Sequence, residues 1–162
     1  MFGSINGLPD RAFPPIWVPM QYGTFATVPI LAAAALARRQ PRVAMALGAS
    51  GAAAWCLAKA VKPLVGRGRR ASLLPGVHLR GNEEGDLGFP SGHAAVSTAL
   101  TVVLWPGLPS AGRRALAGLC GIVSLARLYV GAHLPLDVVG GSALGVAVGS
   151  GVNALTARSR SR

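Results

Sequence analysis

The 162-residue chain is 51% hydrophobic and only 13% charged, with a mean hydropathy of +0.47. An ordinary soluble domain carries about 25% charged residues, so this composition points to a membrane protein of a single domain. The net charge of +11 does not mark a nucleic-acid binder, because the basic residues form short clusters between apolar runs rather than one patch or one basic helix.

Residues 1–12 are polar and turn-rich (Gly3, Asn6, Gly7, Pro9, Asp10) and are expected at the membrane interface or outside it. They lack a basic n-region, so they do not read as a cleavable signal. Ala12 to Ala37 contains no charged residue, which is enough chain to cross ~30 Å of hydrocarbon. Pro14 and Pro15 suit its start, Trp17 and Tyr22 suit an interfacial belt, and Pro29 is expected to kink it. Arg38, Arg39 and Arg42 close this run. A second run covers Val43 to Val61, with Lys59 near its far end. A non-apolar stretch follows, from Lys62 to Leu87, and holds His78 and the acidic group Glu83, Glu84 and Asp86. The third run, His93 to Leu108, is short and ends at Trp105-Pro106-Gly107. A fourth runs from Ala115 to Ala132 behind Arg113 and Arg114. A fifth runs from Leu134 to about Thr156 and leads into Arg158, Arg160 and Arg162. Gly141, Gly145 and Gly149 form a small-residue stripe on the fifth run that suits close helix packing. Cys56 and Cys120 lie inside apolar runs and read as buried small hydrophobes rather than a disulfide or metal pair.

The expected fold is therefore all-α: one polytopic membrane helical bundle over 1–162, with about five transmembrane helices near 13–37, 43–62, 91–107, 114–131 and 134–156. With that count the basic clusters 38–42, 113–114 and 158–162 share one side, which positive-inside reasoning makes cytoplasmic. The loops at 62–92 and 131–134 then meet on the extracytoplasmic side of a multi-pass cell-membrane protein.

Three segments on that face carry chemistry. In Phe89-Pro90-Ser91-Gly92-His93, Pro90 stops the preceding chain and Ser91 is a good helix N-cap. Free N–H groups and the positive dipole end of such a helix suit a phosphate, and His93 in its first turn can move a proton. In Lys62…Arg69, six residues separate two cations at a helix end, with Arg67 between them. In Arg127…His133…Asp137, an arginine within an apolar run calls for a partner. His133 and Asp137, four apart, can meet on one face; a carboxylate on one imidazole nitrogen fixes the tautomer and frees the other nitrogen to attack. Each piece also has a plain reading: headgroup binding for the 62–70 cations, snorkelling for Arg127, and helix capping for Ser91 and Asp137. The three histidines lack a supporting carboxylate cluster, so neither zinc nor any other cofactor is expected.

The joint pattern Lys-x6-Arg, Pro-Ser-Gly-His, Arg-x5-His-x3-Asp resembles the type 2 phosphatidic acid phosphatase superfamily over Lys62 to Asp137. Arg70 stands where that pattern has a proline and Ala126 where it commonly has a serine; neither change removes a charged or catalytic group. Membrane members of the superfamily usually have six helices, and here the first is expected to be absent. The resemblance implies that His133 is a nucleophile forming a phosphohistidine, that Asp137 orients it, and that His93 protonates the leaving group and then activates water. Lys62, Arg69, Arg127, Ser91 and Gly92, with Arg67 as a further contact, would hold the phosphoryl oxygens without a metal. The loop 62–92 would be the active-site loop, and the substrate a polyprenyl phosphate or diphosphate ahead of a glycerophospholipid phosphate. Expected partners are the membrane lipid substrate and the bilayer, with homo-oligomerisation left open and no nucleic acid. The competing readings are a non-catalytic membrane protein that binds anionic headgroups through its basic loop, and a vanadium haloperoxidase. The second is disfavoured by the membrane architecture and small size.

Overall fold

The computed structural model describes residues 2–68, 77–80 and 87–158. Seven α-helices are found among them: α1 (Phe2–Asn6), α2 (Phe13–Met20), α3 (Thr27–Ala37), α4 (Pro41–Val65), α5 (Gly92–Leu104), α6 (Ser110–Tyr129) and α7 (Pro135–Arg158). Short 3-10 turns occupy Asp10–Ala12, Gln21–Gly23 and Trp105–Gly107. The β-pairing seen in the described residues is one isolated antiparallel bridge between Gly68 and Leu87. The fold class is all-α, as expected.

Local chemistry sets the helix ends. Pro41 opens α4 with a pre-set φ, and Gly66 closes it in the left-handed region at φ 61°. Ser91 caps α5 by accepting a hydrogen bond from Ala94 N at 3.4 Å. Pro135 opens α7 in the same way that Pro41 opens α4.

The first apolar run departs from the single kinked span expected of it. It breaks between Met20 and Thr27, and the pieces on either side lie 66° apart. The hydroxyls of Thr24 and Thr27 both donate to Gln21 O, at 2.7 and 2.6 Å, and fix a turn there instead of continuing the helix. Pro29, the expected kink, falls in the first turn of α3, where a proline fits.

By length and apolar composition α4 and α7 can each cross a membrane, and the bent α2–α3 pair makes a third candidate. The expected count of about five is not reached on those terms. α5 has 13 residues, about 20 Å of helix against ~30 Å of hydrocarbon. In α6, every 18-residue window contains Arg113, Arg114 and Arg127.

α5 is the central element. Ala94, Ala95, Val96, Ala99 and Leu100 are fully buried, and the helix packs most extensively on α7 and next on α4. The glycine stripe makes the α5–α7 contact: a Cβ on Gly145 would lie 2.5 Å from Ala95 O, and one on Gly149 2.8 Å from Val102 Cβ. At Gly141 a Cβ would collide with Ser91 O. Small residues thus bring the two backbones together, the geometry by which membrane helices pack without a hydrophobic driving force. From α4, Leu47, Ala54 and Ala58 complete the core. Both cysteines are free; Cys120 is half-buried and 3.1 Å from the Thr101 hydroxyl, whereas Cys56 is exposed on the outer face of α4 rather than buried as expected.

Candidate active site

The end of α4, the start of α5, the end of α6 and the start of α7 converge at one end of the bundle. After Gly66 the chain turns back on itself. Gly88 N donates to Arg67 O at 2.9 Å, Gly68 pairs with Leu87, and Lys62 Nζ donates to Leu87 O at 2.8 Å. These contacts bring the Lys62–Gly68 segment beside Phe89-Pro90-Ser91. The Phe89–Pro90 peptide is cis, and the Phe89 ring lies over Gly140, where no side chain would fit. Ser91 N then donates to Asp137 O at 2.8 Å, which joins the N-terminus of α5 to that of α7.

Ser91 is fully buried with its hydroxyl on the helix cap, whereas the space over Gly92 is open: an added Cβ would meet no atom within 4 Å. The first turn of α5 therefore presents its positive dipole end to the open space at Gly92. His93 is half-buried in that turn. Its backbone is braced by Gly23, at which a Cβ would come 2.7 Å from His93 O. The break in the first apolar run lies where the chain touches this histidine.

Both oxygens of the buried Asp137 carboxylate are engaged. Oδ2 accepts from Leu134 N at 2.7 Å and lies 3.7 Å from His133 Nδ1. Oδ1 accepts from Arg67 Nη1 at 3.2 Å. His133 is 3% exposed. Burial pushes its pKa down to about 4; the hydrogen-bonding tendency of Asp137 opposes this, and the charges of Arg127 and Lys62 reinforce it. At neutral pH the ring is uncharged, the form that carries a lone pair. Nδ1 is the ring nitrogen turned to Asp137. Arg127, 8% exposed, stands in the last turn of α6; its carbonyl accepts from His133 N at 3.3 Å, and its Nη1 is 3.8 Å from Met20 Sδ.

One connected network thus holds Lys62, Arg67, Ser91, Arg127, His133 and Asp137, with Gly92 and His93 following directly on Ser91. Arg67, expected against the substrate, is seated on the Asp137 carboxylate. Arg69 lies outside the described residues, as do Arg70, Glu83, Glu84 and Asp86. Among the described residues no group of three or more His, Cys, Asp or Glu comes together to hold a metal ion.

Residues not singled out from sequence also shape this end of the molecule: Gly23, Asn6, Tyr129 and above all Arg80. Asn6 and Arg80 bond to the backbone of the turn after α6, and Tyr129 Oη donates to Pro9 O at 3.0 Å. The sequence carries no distinctive signal for them: Asn6 and Arg80 each stand between an apolar residue and a glycine, as many turn residues do.

A buried histidine with a carboxylate behind it, and cations beside an open helix N-terminus, form an arrangement suited to phosphoryl transfer. The sequence profile of the PAP2 superfamily matches residues 43–161. The decaprenylphosphoryl-5-phosphoribose phosphatase of Mycobacterium tuberculosis is 34% identical over 128 residues, covering 78% of this chain and 68% of that protein. The fold is similar to that of Aquifex aeolicus LpxE, with a TM-score of 0.84 and 23% identity over 93% of this chain and 91% of that one. It is also similar to a transmembrane PAP2 type phosphatidylglycerolphosphate phosphatase from Bacillus subtilis, with a TM-score of 0.69 and 20% identity over 97% and 85% of the two chains. The chain belongs to the PAP2 superfamily.

Proposed function

We propose that the protein is a multi-pass lipid phosphate phosphatase of the cell membrane that hydrolyses a phosphomonoester or diphosphate through a phosphohistidine on His133, with its active site on the extracytoplasmic face. The observation that carries the reading is the pairing of buried, uncharged His133 with Asp137 at 3.7 Å, joined through Ser91 N to the open start of α5.

In the first step His133 Nε2 attacks phosphorus and the bond to the leaving oxygen breaks. His93 delivers its proton to that oxygen. In the second step His93, now neutral, takes a proton from water as the water attacks the phosphohistidine, which returns His133 and releases phosphate. Asp137 holds Nδ1 and stabilises the positive charge that develops on the ring. Lys62, Arg127 and the α5 amides at Gly92 neutralise the phosphoryl oxygens, with Arg69 as a further cation and Ser91 setting the cap that aims those amides. No step in this scheme calls on a metal. The α2–α3 pair, α4, α5, α6 and α7 would all lie within the bilayer, with the short α5 enclosed by its neighbours and the Arg113–Arg114 end of α6 at the cytoplasmic surface.

The substrate favoured is a polyprenyl phosphate or diphosphate, sugar-bearing forms included. Support comes from the 34% identical relative, whose name specifies a decaprenylphosphoryl sugar phosphate. A glycerophospholipid phosphate ranks second. The test is phosphate release by the purified protein in EDTA from a panel of prenyl, glycosyl-prenyl and glyceryl lipid phosphates. Activity is expected on at least one, with a loss of ~10³-fold or more in His133→Ala and ~10²-fold or more in His93→Ala. Activity that chelation abolishes and added metal restores would contradict the mechanism.

A further inference from the structure

α6 ends in a turn whose last carbonyls have no helical partner, and two segments distant in sequence take them up. Asn6 Nδ2 and Arg80 Nη1 each donate to Tyr129 O at 3.0 Å, and Arg80 N donates to Val130 O at 3.0 Å. Asn6 is itself locked to the 77–80 segment: its Nδ2 donates to His78 O at 2.9 Å and its Oδ1 accepts from His78 N at 3.0 Å. The next residue of the turn, Gly131, has φ 76° and would bring a Cβ within 2.6 Å of His78 O. From there the backbone runs through fully buried Ala132 into His133. The outer wall of the His133 turn is therefore built by α1 and residues 77–80, and its inner wall by Asp137.

Arg80 is the centre of that wall. Nε pairs with Asp10 Oδ1 at 2.7 Å, Nη1 also donates to Asn6 O at 2.7 Å, and Nη2 donates to Leu8 O at 2.8 Å. The guanidinium lies 4.4 Å from the centre of the Tyr129 ring. With four of its five N–H donors on Asp10 and the backbone of Asn6, Leu8 and Tyr129, this arginine is tied to the protein rather than turned to a phosphate, although it stands in the basic loop. Its ion pair with Asp10 contributes little, since the Asp10 side chain is 88% exposed. What it fixes is the peptide path from Tyr129 to Gly131.

The geometry points to Arg80, together with Asn6, as a positioning residue that holds the His133 turn so that Nε2 meets phosphorus in line. This rests on the proposed role of His133 as nucleophile. A reacting atom displaced by about 1 Å loses on the order of 10²-fold in rate, so a loosened turn lowers kcat while leaving the headgroup contacts, and hence KM, in place.

The experiment measures kcat and KM for the full-length protein on whichever panel substrate the wild type hydrolyses. Arg80→Ala is expected to lower kcat by ~30- to 100-fold and Asn6→Ala by about 10-fold, with KM within about two-fold of wild type. Arg80→Lys, which keeps the charge but not the fork of donors, is expected to fall in between. Because both residues bind Tyr129 O, the double variant should lose less than the product of the single losses. Asp10→Asn should keep kcat within about two-fold of wild type, since an exposed pair contributes little. Should Arg80→Ala not elute as a folded species, Arg80→Lys and Asn6→Ala decide on the same terms. Wild-type kcat in the Arg80 and Asn6 variants, or a loss confined to KM, overturns the positioning role. A wild-type protein inactive on the whole panel overturns the phosphatase mechanism and this inference with it; an active wild type with fully active Arg80 variants overturns this inference alone.

Discussion

His133 is the residue on which charge, burial and geometry converge, and its burial has a measurable consequence. Its folded-state pKa of about 4 lies below the ordinary histidine value of 6.5. The unfolded chain therefore binds more protons between those limits, and stability falls as pH drops from 6.5 towards 4, then levels off. The 2.5-unit gap corresponds to roughly 3 kcal/mol. Melting curves in detergent across this range should show wild-type protein losing stability relative to His133→Gln as pH falls; parallel curves would mean that the imidazole is not buried. Arg67 makes a second residue-level prediction. Seated on the Asp137 carboxylate at 3.2 Å, it acts through that carboxylate, so Arg67→Ala should lower kcat by about 10-fold with little change in KM. A rise in KM with kcat intact would make it a headgroup contact instead. Spacing alone pointed to the His133–Asp137 pair, because four residues at a helix start fix a shared face. It could not show which loop cation reaches that carboxylate, since Arg67 and Asp137 are 70 residues apart and their meeting depends on how the loop folds back.

Among the elements, the α5–α7 contact positions the chemistry. Ser91 N on Asp137 O and the glycine stripe hold the two helix starts together, so His93 and His133 are carried by one rigid pair. Gly141→Val would force Ser91 away and is expected to lower stability by ~1–3 kcal/mol while also lowering activity. Gly151→Ala, at a site with open space around it, should do neither. Circular-dichroism melts with phosphate-release assays on both variants distinguish the cases, and a Gly141→Val protein of wild-type stability would remove the contact from the account. The stripe was legible because small residues recurring every four positions have one obvious use in a membrane helix. The break in the first apolar run was not. Uninterrupted hydrophobicity reads as one span, and the features that end α2 are local: two threonine hydroxyls on Gln21 O and a glycine pressed on His93. The packing of α1 was not legible for a related reason. Polar, turn-rich residues placed it at the membrane interface or outside it, but not against partners more than 70 residues away, where Asn6 is buried.

At the scale of the whole molecule, the helices set two opposed ends. Arg67, Arg80, Arg127 and both site histidines gather at one, and Arg38, Arg39, Arg42, Arg113 and Arg158 at the other. On the proposed topology the second end faces the cytoplasm. With Cys56 and Cys120 replaced by serine, a cysteine introduced at Leu79, which is 50% exposed, should react with an impermeant maleimide on intact cells, and one at Ala111 should react only after permeabilisation. The reverse pattern would invert the topology. Composition made the membrane bundle legible, but the number of crossings was not. α5 is too short and α6 too rich in arginine to count as spans on their own, and only their packing around the site accounts for them.

The account depends most on the covalent step at His133. Wild-type and His93→Ala proteins, mixed with a lipid phosphate labelled on its phosphorus and quenched in alkali to preserve phosphohistidine, should carry label on the peptide containing His133. More should accumulate in His93→Ala, where hydrolysis of the intermediate is slowed, and none in His133→Ala. Label on His93 instead, or continued turnover by His133→Ala, would contradict it.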